Sequence, residues 1–119
     1  MKSIAIDIDG VVFKYAGWQG IHNFGEPVEG AKEALAELQR PGYHIIIHTT
    51  RVNEDVNPDY TEKELFDILA EGLNKAGIPY DEIGVAKPLA DFYVDDRSIK
   101  FESWPQILKI VKEAKLVEE

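Results

Sequence analysis

The sequence predicts an α/β fold: a doubly wound, Rossmann-like parallel sheet of about four strands, with helices on both faces and no cap domain. Three observations predict it. Short apolar runs such as Ile4-Ala5-Ile6 and Ile45-Ile46-Ile47 lack polar alternation, which suits strands buried on both sides. Between the runs lie segments whose apolar residues recur at helical spacing, and strands alternating with helices imply βαβ units. Each apolar run also ends in polar residues, and in such sheets ligands bind beyond the carboxyl ends of the strands.

The elements follow in order. Ser3–Ile8 reads as the first strand. Ala31, Ala34, Leu35 and Leu38 form one stripe of a helix that Pro41-Gly42 ends. The β-branched run Tyr43–His48 is a second strand. Thr61-Glu62-Lys63-Glu64 matches a capping box and opens a helix with Leu65, Ile68, Leu69, Leu73 and Ala76 inward, closed by Gly77. Glu82–Ala86 reads as a short third strand and Phe92–Val94 as a fourth. Ser103 caps a last helix with Trp104, Ile107, Leu108 and Val111 inward, and Glu118-Glu119 is an acidic tail. There is no repeat or linker, so residues 1–119 are expected to form one domain. The aromatic, glycine-punctuated stretch Tyr15–Phe24, within a loop of about 13–26, is expected to be a flap beside the site.

Composition narrows the function. The 119 residues carry 22 acidic and 13 basic side chains, a net charge of −9. This disfavours nucleic acid held by general electrostatics, since such proteins present a basic face. There is no cysteine, hence no disulfide and no thiolate metal site. No membrane-length apolar run or signal-peptide core is present, and the expectation is a soluble, cytoplasmic protein.

The chemistry gathers at the strand ends. Asp7 and Asp9 are one residue apart and lie on the same side of an extended backbone. Two carboxylates ~4 Å apart repel by about 4 kcal/mol at an effective dielectric near 20. Folding does not reward that arrangement, whereas a divalent cation or a phosphoryl group would. Thr49, Thr50 and Arg51 end the second run, Lys87 follows the third, and Asp95 and Asp96 end the fourth.

In these four signatures, taken in order, the chain resembles the haloacid dehalogenase-like hydrolase superfamily. The residues that carry the resemblance are Asp7-Ile8-Asp9-Gly10-Val11, the strand ending in Thr49, Lys87-Pro88, and Tyr93-Val94-Asp95-Asp96, and together they span nearly the whole chain. The resemblance implies a Mg²⁺-dependent phosphomonoester hydrolase. Asp7 would be the nucleophile that forms an aspartyl-phosphate, and Asp9 the general acid and then base. Mg²⁺ would be held by Asp7, the backbone carbonyl of Asp9, and Asp95, with Asp96 orienting water or pairing with the lysine. Thr49 and Lys87 would hold phosphoryl oxygens, and Thr50 would either join them or cap the next segment. The family also implies the strand order third-second-first-fourth, with the Asp7 strand central.

Departures from the family pattern shape the remaining expectations. Phe13–Glu26 and Val52–Tyr60 are too short to be a cap, so the substrate is large or another subunit supplies a lid, which would need a homo-oligomer. Lys87 is only eight residues before Asp95, and Arg51, Lys14 or Arg97 are alternative cations. Arg51 would grip a substrate anion or pair with Glu54 or Asp55. Trp18 and His22 are candidate substrate contacts in the flap, whereas His44 and His48 read as packing residues. The substrate is expected to be a small phosphorylated metabolite or the exposed phosphate of something larger. The alternatives are a phosphotransferase, a nucleic-acid 3′-end phosphatase, or a catalytically silent binding module. A response-regulator receiver uses similar groups in a different order.

Overall fold

The structure, a computed structural model, describes residues 2–114; the acidic pair Glu118-Glu119 lies outside the described residues. It contains β1 (Ser3–Ile6), α1 (Ala31–Gln39), β2 (His44–Ile47), a single 3-10 turn (Thr50–Val52), α2 (Glu62–Ala76), β3 (Glu82–Ile83) and α3 (Trp104–Glu113). The sheet is parallel, in the order β1-β2-β3. Ser3 to Ile6 align with His44 to Ile47, while Ile46 and Ile47 align with Glu82 and Ile83. No helix among the described residues is long and apolar enough to cross a membrane.

Local signals set the helix ends. Thr61 Oγ1 accepts from the Glu64 amide at 3.2 Å, and Glu64 Oε1 accepts from the Thr61 amide at 2.9 Å, completing the capping box of α2. Gly77 closes that helix at φ 69°, a left-handed conformation that glycine adopts without penalty. The Ser103 hydroxyl accepts from the Gln106 amide and starts α3, with Pro105 in its first turn, where a missing N–H costs nothing.

Four expectations need correction. The sheet has three strands, and Phe92–Val94 is irregular. Only Pro88–Asp91 separates it from Lys87, whereas a parallel crossover takes a dozen residues or more. Local bonds fill the segment instead: Tyr93 donates its hydroxyl to the Pro88 carbonyl at 2.6 Å and accepts from the Ala90 amide. Phe92 and Val94 are left exposed, at 86% and 99%. It follows that β2, not the Asp7 strand, is central.

The strand ends are also shorter than expected. The β1 ladder stops at Ile6, although Ile8 is buried, and β3 stops at Ile83.

Helices do not cover both faces of the sheet. Ile6, Ile45 and Ile47 are buried, while their neighbours Ser3 and Ala5 are exposed and His44 and Ile46 only half-buried. Side chains alternate between faces along a strand, so one face carries the core and the other is largely open. The cause is topological. Both crossovers step in the same direction, and right-handed crossovers of that kind place α1 and α2 on the same side. Lys32 of α1 accordingly reaches Gly77 at the end of α2, and α3 packs on α1.

Asp81 pins the start of β3 to β2. Its Oδ2 accepts from the Ile45 amide at 2.7 Å and from Gln39 Nε2 at 3.2 Å, and these bonds hold its carboxyl below the usual carboxylate range. A lowered value stabilises the fold above the ordinary pKa, near 3.8, and that contribution disappears as pH falls through the lower folded value. Asp81→Ala is therefore expected to melt below the wild type at neutral pH. Thermal melts repeated in acid, once Asp81 is protonated, should show the gap closing; a gap that persists there would contradict the ionic account.

Candidate functional site

β1 and β2 lie side by side and run in the same direction, so the residues following them meet at one edge. After β1 the chain turns sharply. The Val11, Val12 and Phe13 amides all point at the Ile8 carbonyl, at 2.9–3.2 Å, and Gly10 takes φ 85°. The turn fixes Asp7 and Asp9 beside the end of β2. There Thr49, only 1% exposed, caps the 3-10 turn by accepting from the Arg51 amide at 3.1 Å. Asn57 secures that turn by donating to the carbonyls of Thr50, Arg51 and Asn53.

Each carboxylate has its own cation. Asp7 Oδ1 accepts from the Ile8 amide at 2.7 Å and Oδ2 from Lys87 Nζ at 3.0 Å. Two backbone bonds hold Lys87 there: its amide donates to the Thr49 carbonyl, and its carbonyl accepts from Asn53. The ammonium also sits 4.2 Å from the centre of the Tyr93 ring, a cation–π contact. Lys87, rather than Lys14 or Arg97, is thus the cation on Asp7. Lys14 stands near Glu26 at the surface.

Arg51 departs most from expectation. It pairs with neither Glu54 nor Asp55. Its Nε and Nη2 donate to the two oxygens of Asp9 at 2.8 and 2.9 Å, a bidentate fork. Nη1 donates to the Ile21 carbonyl and Nη2 to the Asn23 carbonyl. The side chain is 3% exposed, with Trp18 and Phe24 against the guanidinium. So engaged, it is not free to grip a substrate anion. The signal for this was adjacency: parallel neighbours put the residue two past Thr49 within reach of Asp9, and the flap's aromatics supply planar partners for a guanidinium. Phe24 was missed as one of those partners. It lies against Gly72 of α2, where any Cβ would collide with the ring.

The other candidates fall into place around this pair. Thr50 opens the 3-10 turn, and its carbonyl accepts from Asn53 and Asn57. His22 is exposed, with its ring against Tyr60. His48 Nδ1 lies 3.2 Å from the Val85 carbonyl, and His44 lies near Glu82. Beneath the flap is a cavity of about 290 Å³ lined by Asp9, Lys14, Tyr15, Trp18, Phe24 and Arg51, among others.

Asp95 and Asp96 do not join the site, because the segment carrying them never forms a strand. Both are exposed. The Arg97 amide donates to Asp95 at 2.8 Å, and that bond, with help from Asp96, holds the Asp95 carboxyl below its ordinary value. Among the described residues no three acidic or histidine side chains converge as a metal site would require. Of the ligands expected for magnesium, the Asp7 carboxylate and the Asp9 backbone stand together at the end of β1, with one Asp7 oxygen paired to Lys87, whereas Asp95 stands apart from them.

No family model and no curated protein matches the sequence. Two solved structures resemble the chain. A D,D-heptose 1,7-bisphosphate phosphatase from B. bronchiseptica, crystallised with magnesium and phosphate, aligns with a TM-score of 0.50 at 22% identity, over 82% of this chain and 54% of that one. That likeness shows a shared fold, and the chain spans about half of that protein's length. An MCSG target protein from Vibrio cholerae aligns with a TM-score of 0.70 at 30% identity, over 91% of this chain and 88% of the other. At that identity and with near-complete mutual coverage, the chain belongs to the same family as the Vibrio cholerae protein.

Proposed function

We propose that the chain is a phosphomonoester hydrolase of the haloacid dehalogenase-like type, with Asp7 as nucleophile and Asp9 as general acid and base. One observation carries the reading: at the end of β1 the Asp7 carboxylate stands 3.0 Å from Lys87 Nζ, with Asp9 two residues on. The fold shared with a phosphatase supports it.

The chemistry follows from those positions. An Asp7 oxygen attacks phosphorus and forms an O–P bond as the ester P–O bond breaks. The leaving oxygen takes a proton through Asp9, which is ionised in the Arg51 fork and first collects that proton from solvent. Water then attacks the same phosphorus, giving its proton to Asp9, and phosphate leaves with Asp7 restored. Lys87, already beside Asp7, carries positive charge to the phosphoryl oxygens as charge builds there. Thr49 Oγ1 accepts from the Arg51 amide, which leaves its hydroxyl hydrogen to donate. Replacing Asp7 by Asn should leave no phosphate release above background, and Asp9→Asn should lower turnover about 10²–10⁴-fold. The measurement is a phosphate-release screen over sugar phosphates, nucleotides and 3′-phosphorylated oligonucleotides. Silence across the panel, or an active Asp7→Asn variant, would refute the assignment.

Charge counting supports a need for Mg²⁺. Asp7 and Asp9 are balanced by Lys87 and Arg51, so a phosphate ester bringing roughly two negative charges arrives at a site with none to spare. A bound divalent cation would supply that charge. The heptose bisphosphate phosphatase was crystallised with magnesium. Activity is expected to disappear in EDTA and return with excess Mg²⁺; full turnover in metal-free buffer would remove the cation from the reading.

A further inference from the structure

We propose that Arg51 is a positioning residue that latches the flap to Asp9, so that one guanidinium sets both the seat of the flap and the orientation of the acid. This rests on the hydrolase reading above and deepens it.

The fork has two destinations. Two of its four hydrogen bonds go to the oxygens of Asp9, and two go to the flap carbonyls of Ile21 and Asn23. Among the described residues, these two are the only hydrogen bonds joining the backbone of residues 15–23 to the rest of the protein; the others there, from Asn23 to Gly20 and Gln19, are internal. A charge this deeply buried is tolerated only when fully paired, and here pairing requires Asp9 and the flap together. Moving the flap away would strip the guanidinium of two acceptors and of the Trp18 face. Turning Asp9 away would leave a buried cation without its counter-ion. The flap and Asp9 therefore move as a coupled pair, and such coupling is reciprocal.

The cavity under the flap is lined by both partners, by Asp9 and by Trp18 of the flap. A leaving group seated there touches the acid that protonates it and the flap that covers it. Lysine cannot substitute for this fork. It keeps the charge but offers a point donor, which cannot span two carboxylate oxygens and two carbonyls in one plane.

The test uses Arg51→Lys and Asp9→Asn, with far-UV circular dichroism to verify folding. The rate readout is kcat/KM on an alkyl phosphomonoester and on p-nitrophenyl phosphate, whose leaving group departs without a proton. With Asp9 misplaced, Arg51→Lys should lose about 10²-fold on the alkyl ester and much less on the nitrophenyl ester. The flap readout is acrylamide quenching of tryptophan emission. Trp104 is buried and shielded, while Trp18 is half-exposed, so the quenchable signal reports the flap. Quenching should rise in both variants, because either end of the latch releases it. Equal losses on the two esters in a folded Arg51→Lys protein would reduce Arg51 to a structural residue and overturn the proposal. Unchanged quenching in Asp9→Asn would overturn the coupling. Should the wild type hydrolyse neither ester, the hydrolase reading fails by itself and the quenching results alone decide the latch: increased quenching in both variants supports it, and no change defeats it.

Discussion

The site edge depends on two ion pairs that join distant parts of the chain. Asp7 and Asp9 both follow β1 at one edge of the sheet, where unpaired carboxylates would repel each other. The fold answers with one cation for each, and both come from far along the sequence: Lys87 from beyond β3 and Arg51 from the turn after β2. Neither pair can form until β1 and β2 are aligned in parallel register. The pairing of charges at the site is therefore a consequence of sheet topology.

The same topology explains why the sheet is one-sided. Three strands added in one direction send both crossover helices to one face, and α3 joins them by packing on α1. Trp104 is central to that arrangement: it is almost wholly buried, its indole N–H donates to the Val11 carbonyl at 3.0 Å, and its ring meets Phe101 edge-on. The hydrogen bond ties the last helix to the turn that carries Asp9. The core face and the edge that carries Asp9 are thus braced against each other by one side chain.

Helix positions were legible because caps and stripes are local. Thr61 with Glu64, Gly77 and Ser103 mark boundaries through bonds spanning four residues or fewer, and the structure has helices where those marks fall. The first two strands were legible as uninterrupted apolar runs. Phe92–Val94 has the same composition, yet it forms no strand, because composition does not count the residues available for a crossover. The sheet's sidedness was hidden for a related reason: an apolar run looks alike whether one or both of its faces are covered. In the site, single residues could be read from their types and strand ends, but partners could not. Arg51 has acidic neighbours at Glu54 and Asp55, and sequence proximity favours them. The parallel sheet brings Asp9 closer, in a geometry that satisfies the whole fork.

On the proposed hydrolase reading, local neutrality would also govern how the edge meets a substrate. Lys87 pairs with Asp7 in the resting site, and a carboxylate so paired is a poor nucleophile. A phosphoryl group approaching Asp7 would bring oxygens within reach of the same ammonium, because on that reading the attacked phosphorus comes close to the attacking oxygen. The lysine would then pass from carboxylate to phosphoryl with little movement, freeing Asp7 as the proposed bond forms. Arg51 does not move so easily, since releasing Asp9 would also cost it the flap. On that reading one cation of the pair would follow the reaction, while the other, held by four hydrogen bonds and two aromatic rings, would keep Asp9 and the flap in register.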